Sequence, residues 1–315
     1  MNASPEKPVI SVIIPARNEG DRVLRGIRSV VEGRSCRFPL QIVVIDDDSS
    51  DGCTAFLERL YSWSRDLVRI DVIRLPRWSG IPYARNVGAF CAKADILFIT
   101  DANVIFPPAW DEPIWKQIGP SRVLCATIAD IGSHFRGYGG TLHLDSMGFQ
   151  WLRSPTAYRG FVPLCPCTGT VIASDLFRRA GGYDTAMPIY GAAEPEFSVR
   201  LWLSGAEIVS VPDLVLQHRF RPTAERRPFL DAIGRVQVQN YLRFGLLYLD
   251  HARAARLFRY YARSAPQFFE TAMRHVWTGE VWDRRNLLQQ RLPVSFASFI
   301  QRFGLASADS QSGVG

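Results

Sequence analysis

The sequence predicts an α/β protein built on a largely parallel sheet. Two observations carry this. Over the first 110 residues, short apolar runs alternate with amphipathic segments, the pattern of successive β-α-β units. Polar clusters then recur just after the apolar runs, at the carboxyl ends of the expected strands, where such sheets bind ligands.

The elements follow in order. Residues 9–14 read as a buried strand and 21–31 as a helix. Residues 41–46 form the second strand and 54–63 the second helix. The third strand is 68–74, the third helix 83–92 and the fourth strand 95–100. From 130 to 167 the periodicity fails, and the stretch is rich in glycine and aromatics. A long irregular segment in a compact domain is usually functional or mobile. Order returns with a strand at 170–173 and a short helix from Ser174, closed by Gly181 and Gly182. A helix at 195–204 and strands near 207–211 and 214–217 complete this half. After Arg221 and Pro222 the composition shifts, and Phe229 to about Ile300 reads as helices dense in Arg, Phe, Tyr and Leu, punctuated by Pro266 and Pro293. Three parts are expected: a main domain at 1–221, a helical extension at 222–305, and a disordered tail at 306–315.

Composition bounds the class. The chain has 315 residues, 47% hydrophobic and 21% charged, which excludes disordered, collagen-like and coiled-coil proteins. Its net charge is +7, and only Lys7, Lys93 and Lys116 are lysines among 37 basic residues. Arginine suits planar bidentate contact with phosphate and carboxylate. Genomic base composition favouring Arg codons is the better explanation for most of them. Six cysteines are too few for a disulfide scaffold. No apolar run is long enough to span a membrane, and the first residues lack a signal-peptide core. A cytoplasmic location is the expectation. Arg256, Arg259 and Arg263 share one face of an expected helix, which suits either contact with the inner membrane surface or a solvated flank. No nucleic-acid-binding motif accompanies the positive charge, and no nucleic-acid partner is expected.

Five constellations carry chemistry. Asp46, Asp47 and Asp48 follow the second strand and can accept bonds from a ribose or base, or can cap a turn. Asp101 and Asn103, in T-D-A-N (100–103), can hold a divalent cation bridging a diphosphate, or form a turn. His218 ends a strand beside Arg219 and Arg221, and its imidazole suits manganese. Glu194 precedes Pro195 at a helix mouth, where a carboxylate can act as general base. Glu196 and Arg200, four apart, are expected to pair on the surface. Arg85 at a helix start can reach phosphates, while Gly88 allows close helix–sheet packing. The remaining cysteines and histidines read as structural: Cys165 and Cys167 as a buried pair, and His143, His251 and His275 without evident partners.

The order of these motifs is more specific than any one of them. V-I-S-V-I-I-P-A-R-N-E-G (9–20), V-I-D-D-D-S-S-D-G (44–52), A-R-N-V-G (84–88) and I-T-D-A-N (99–103) resemble the nucleotide-binding half of family-2 glycosyltransferases, which have the GT-A fold. T-G-T-V-I-A-S-D-L-F-R-R-A-G-G-Y-D (168–184), E-P-E-F-S-V-R-L-W (194–202) and Q-H-R-F-R (217–221) resemble the polypeptide N-acetylgalactosaminyltransferases and their bacterial relatives. The resemblance covers about residues 9–221.

It implies roles position by position. Pro15, Ala16, Arg17 and Glu19 would line the nucleoside pocket. Asp47, with Asp46, would bind the uracil or ribose. Arg85 would contact the nucleotide or its phosphates, and Gly169 would lie where backbone approaches the sugar. Asp101, Asn103 and His218 would hold Mn2+ or Mg2+. Glu194, or Glu196 in its place, would be the general base. Two departures stand out. Asn103 replaces an Asp or His, and Ala193-Glu194 replaces Glu-Asp. Family-2 enzymes invert whereas the N-acetylgalactosaminyltransferases retain; an available base at Glu194 favours inversion. The acceptor, a saccharide, lipid-linked glycan or peptide, would lie across 130–165, where Phe149, Trp151, Tyr158, His134 and Asp145 are candidates. These aromatics serve equally as lid packing. The resulting expectation is sugar transfer from a nucleotide-sugar donor, UDP-linked. The alternative is a non-catalytic nucleotide-sugar binder with the same fold.

Overall fold

A computed structural model describes residues 7–305. The tail expected to be disordered, 306–315, lies outside the described residues. The chain runs β1 (Ile10–Ala16), α1 (Arg22–Glu32), β2 (Leu40–Asp46), α2 (Trp63–Asp66), β3 (Val68–Arg74), α3 (Ile81–Cys91) and β4 (Ile96–Ile99). It continues through β5 (Val104–Ile105), α4 (Glu112–Gln117), β6 (Arg122–Asp130), β7 (Arg136–Gly137), β8 (Gly140–His143) and β9 (Gly148–Trp151). Next come β10 (Thr170–Ala173), α5 (Ser174–Arg179), α6 (Ala193–Leu203) and β11 (Glu207–His218). Five helices close the chain: α7 (Thr223–Tyr248), α8 (His251–Ser264), α9 (Pro266–Val276), α10 (Gly279–Arg291) and α11 (Phe296–Arg302).

Among the described residues one nine-stranded mixed sheet has the order β3-β2-β1-β4-β10-β6-β11-β5, with β7 on β6. β1, β2, β3 and β4 pair in parallel, while β10 runs antiparallel to both β4 and β6. The order reverses at β1: one neighbour is β2 and the other β4. That reversal opens a crevice beyond the carboxyl ends of β1 and β4. β1 and β2 are buried on both faces, as their continuous apolar runs predict.

The expected helix at 54–63 is not formed. Only a single 3-10 turn and the four-residue α2 occur there. Phe56 is in the left-handed region at φ 65°, and Thr54 turns its hydroxyl inward onto Asp46, so no helix can run through. The two strands expected near 207–217 are one strand, β11, with an irregularity between Val211 and Val215. The stretch 130–167 is more ordered than its composition suggests. It holds β7 and the β8–β9 hairpin. The sequence pattern assigns nothing to 104–130, where β5, α4 and the central strand β6 lie.

α3 packs tightly on β1. A methyl group at Gly88 would stand 2.4 Å from Ile13 Cγ2, so only glycine permits this approach. The boundary expected at 221/222 falls between β11 and α7. One buried apolar cluster runs across it, joining Phe177 and Phe197 to Leu242, Phe244 and Phe299. Among the described residues no helix is long and apolar enough to cross a membrane. Arg256 turns towards Asp145 at 3.2 Å, so the arginine face of α8 is not a uniformly solvated stripe.

Candidate active site

The crevice gathers residues from β1, β2, β4, α3, α6, β11 and the segment before β10. Its centre is Arg85, which is fully buried in α3. Its Nη1 donates to Glu194 Oε1 at 2.8 Å and its Nη2 to Asp101 Oδ1 at 2.8 Å. Nη2 also donates to the Cys167 carbonyl. The guanidinium lies over the Tyr183 ring, 5.6 Å from the centroid. Burial alone would lower the Arg85 pKa, but Asp101, Tyr183 and Glu194 outweigh it and keep the group charged. Arg85 is therefore a strut between two carboxylates and is not displayed to phosphates.

Asp101 begins the turn after β4. Its backbone N–H donates to Thr168 Oγ1, which also pairs with Thr100 Oγ1 at 2.9 Å. Arg85 occupies Oδ1. The other oxygen, Oδ2, faces His218 Nε2 at 3.8 Å and Cys167 Sγ at 3.6 Å. Burial lowers the His218 pKa, so its imidazole is neutral at neutral pH. Its Nδ1 is buried without a partner. Burial also pushes the Cys167 thiol well above its ordinary range, so it is a protonated donor to Asp101 and no thiolate ligand.

This pair fits a divalent cation. Hard ions bind oxygen and nitrogen at about 2.1 Å, so two ligands of one ion stand at most about 4.2 Å apart. The 3.8 Å gap lies inside that limit. Among the described residues no group of three His, Cys, Asp or Glu side chains is placed to hold a metal ion. An ion there would have two protein ligands, and substrate phosphates would complete its shell, as they usually do for magnesium-like ions. Asn103 is half-buried, and its Nδ2 is engaged with the Arg219 carbonyl at 3.2 Å.

The other predicted residues are placed as follows. Asp46 is fully buried. Burial would raise its pKa, but bonds from Thr54, Ser49 and Arg74 prevail and hold it below the usual carboxylate range. It has no free face for a ligand. Asp47 accepts from the N–H groups of Ser79 at 2.7 Å and Gly80 at 2.8 Å, and burial pushes its carboxyl up. Arg17 donates from Nε to the Asp47 carbonyl and lies 4.3 Å over the Trp78 ring. Pro15 and Ala16 end β1 below it. Glu19 accepts from Arg22 and Arg221. Gly169, at φ 84°, is packed against protein: a methyl group there would stand 2.8 Å from Ala126 Cβ.

Glu194 and Glu196 part company. Glu194 reaches the site, with Oε1 on Arg85 and Oε2 without a protein partner among the described residues. Glu196 does not reach it. It is fully buried, bound by Arg200 Nε and Nη2 and by the Tyr248 hydroxyl at 2.6 Å. The Glu196–Arg200 pair expected on the surface is therefore internal, because α6 is buried on every side. Trp151 packs edge-on against Phe135, Phe149 and Phe220, Phe220 lies against His218, and Tyr158 packs on Phe303.

Sequence reasoning reads Cys167 as half of a buried pair with Cys165, whereas its thiol faces Asp101, and it misses Tyr183 and Asn240. Asn240 of α7 is fully buried and donates from Nδ2 to the carbonyls of Pro188, Tyr190 and Gly191, at 2.9, 3.1 and 3.3 Å. That loop delivers Glu194. It carries Ile189 and Ala192 in the left-handed region, at φ 65° and 62°. Ile189 also accepts from the N–H of Ile81 at 3.0 Å, next to the Gly80 that holds Asp47. A lone Asn in a helical pattern gives no signal of this.

The sequence profile of glycosyl transferase family 2 matches residues 11–180, more than half of the chain. The chain belongs to glycosyl transferase family 2. It is 26% identical over 266 residues to polypeptide N-acetylgalactosaminyltransferase 11 of Xenopus tropicalis, covering 78% of this chain and 43% of that protein. It is 30% identical over 236 residues to polypeptide N-acetylgalactosaminyltransferase 8 of Drosophila melanogaster, covering 68% and 38%. The chain thus spans about two fifths of the length of these curated relatives. Among solved structures, GalNAc-T7 with UDP, GalNAc and Mn2+ superposes with TM-score 0.72 at 20% identity, over 98% of this chain and 58% of that one. Mannosyltransferase PcManGT from Pyrobaculum calidifontis, in complex with GDP-Man and Mn2+, gives 0.54 at 14% identity, over 96% and 88%. The architecture is the GT-A fold that the motif order implies.

Proposed function

We propose that this family 2 member transfers a glycosyl group from a nucleotide sugar, UDP-linked, to a hydroxyl of a saccharide, lipid-linked glycan or peptide. The observation that carries this is the meeting of Asp101 Oδ2 and neutral His218 Nε2 at the strand ends, where the sheet order reverses. The named relatives and complexed neighbours support a nucleotide-sugar donor, and the polypeptide transferases among them support keeping a peptide acceptor in view.

Asp101 and His218 would hold Mn2+ or Mg2+, whose charge offsets that developing on the departing diphosphate. Arg85 fixes Asp101 by taking Oδ1, so that Oδ2 keeps its direction. Glu194 would take the acceptor proton through Oε2, the oxygen Arg85 leaves free. Asp47 and Arg17 would shape the nucleoside end by holding the 79–80 turn and the Trp78 ring.

A thermal-shift screen with UDP, GDP, CMP and dTDP, each with and without manganese, tests the reading. A ligand at a hundred times its Kd stabilises by about 2.7 kcal/mol. UDP with manganese should raise the melting temperature of the wild type but not of Asp101→Ala or His218→Ala. Equal shifts in all three proteins would remove the metal pair from the reading, and no shift with any nucleotide would favour the non-catalytic alternative.

A further inference from the structure

Tyr183 and Glu194 stand near the two ends of the segment that joins α5 to α6. Both touch Arg85, one by its ring and one by its carboxylate. The segment is gripped from two sides. On the α3 side, Asn86 is the neighbour of Arg85. It accepts the Tyr183 N–H on Oδ1 at 2.9 Å and donates from Nδ2 to the Tyr183 carbonyl at 2.8 Å. On the α7 side, Asn240 holds the 188–191 carbonyls.

Asp184 heads the turn between these grips. Its carbonyl accepts from the Met187 N–H at 3.0 Å, and its Oδ1 from the Ala186 N–H at 3.0 Å. Oδ2 is left for Arg243 of α7, whose Nε donates to it at 2.9 Å. Arg243 lies three residues beyond Asn240, so one face of α7 serves both the turn and the loop after it. No other hydrogen bond among the described residues ties the 184–187 turn to another element.

The Arg243 side chain is only 4% exposed, and a charge so buried must be paired. Its other edge is paired as well. Nη1 and Nη2 donate to Glu280 Oε2 and Oε1 of α10, at 2.5 and 2.8 Å. Burial alone would lower the Arg243 pKa, but Glu280 and Asp184 outweigh it and keep the group charged. A two-pronged carboxylate contact fixes the plane of a guanidinium. Glu280 thus sets the direction of Arg243, and Arg243 sets the place of Asp184.

We propose that Arg243, in the C-terminal helices, is a positioning residue for the transfer. Through Asp184 it fixes the segment that carries Tyr183 and Glu194, and so keeps Glu194 in place beside Arg85. The proposal rests on the reading of Glu194 as the general base. A catalytic group displaced by about 1 Å costs about 100-fold in rate, even when the cause is remote.

Two readouts on the full chain test it. The first is UDP release from UDP-GalNAc, UDP-GlcNAc and UDP-glucose with Mn2+, water being the acceptor. The second is hydrogen exchange of the backbone amides. Arg243→Met keeps the stem and removes the fork, while Arg243→Lys keeps the charge. Well below the melting temperature of each protein, Arg243→Met should lower kcat about tenfold or more and leave KM within about twofold. Arg243→Lys should recover part of that loss. In Arg243→Met the amides of 183–193 should exchange about tenfold faster while β1 and β4 keep their protection. Asp184→Asn should act alike, and the double variant should be no slower than Arg243→Met, because both changes remove one ion pair. Unchanged exchange at 183–193, or unchanged kcat despite faster exchange, overturns the proposal. Glu194→Gln separates this from the reading beneath it. If Glu194→Gln leaves kcat unchanged, the base assignment falls. If Glu194→Gln abolishes turnover while Arg243→Met matches the wild type, only the positioning role falls. If the wild type releases UDP from none of the three sugars, the donor reading falls and takes the role in transfer with it.

Discussion

Asn240→Ala tests whether the C-terminal helices hold the candidate site in shape. The side chain is fully buried and its amide serves three carbonyls of the 188–191 loop. An amide has two N–H groups, so two full bonds are lost, each worth about 1 kcal/mol net, and the stranded carbonyls add more. Against this, Oδ1 has no partner, and removing it returns about 1 kcal/mol. The balance is a loss of roughly 1–3 kcal/mol, or roughly 2–12 °C in Tm. Asn240→Asp is the sharper variant. It keeps the volume but replaces the donors with a carboxylate facing three carbonyls, an uncompensated buried charge costing about 3–5 kcal/mol. Calorimetry of the three proteins should therefore rank wild type above Asn240→Ala above Asn240→Asp. If the isosteric Asp variant is the milder one, Asn240 merely fills space and the argument is wrong. Loss of the loop should also weaken binding of UDP with manganese, because Ile189 leans on the strand end that holds Gly80 and Asp47.

Two further predictions follow from buried carboxylates. Glu196→Gln leaves Arg200 uncompensated in the core, so it should destabilise by about 3–5 kcal/mol; chemical denaturation measures the loss, and titration should show UDP affinity unchanged within twofold, since Glu196 faces Arg200 and Tyr248 and not the crevice. Asp46 has a folded pKa below its unfolded one, so its stabilisation is present above the unfolded pKa of about 3.9 and is lost as pH falls through the folded value. Asp46→Asn should flatten the stability profile below pH of about 4, and an unchanged acid slope would show that Asp46 is not responsible.

Much of the fold was legible because it rests on local periodicity. The apolar runs of β1, β2, β3 and β4, and the amphipathic faces of α1 and α3, appear in the order of the chain. The glycine at 88 announced close packing of α3 on β1. Periodicity failed at 54–63, where a polar side chain, Thr54, prefers a buried carboxylate to a helical turn. It failed again at β6, a buried strand that looks like any short apolar run.

For the candidate site, the sequence by itself determined which residues stand at the strand ends: Asp47, Asp101 and His218 all reach the crevice or its margin. Spacing fixes that, because a strand delivers the residue after its last apolar position to the sheet edge. Partnership is different. Only the tertiary structure decided that Arg85 binds two carboxylates 16 and 109 residues away, that Glu196 is internal, that Asp46 is fully occupied, and that Asn240 holds the Glu194 loop. The physical reason is that a buried charge or amide must find its partner wherever packing brings one within hydrogen-bond reach, and that distance has no counterpart in the spacing of residues along the chain.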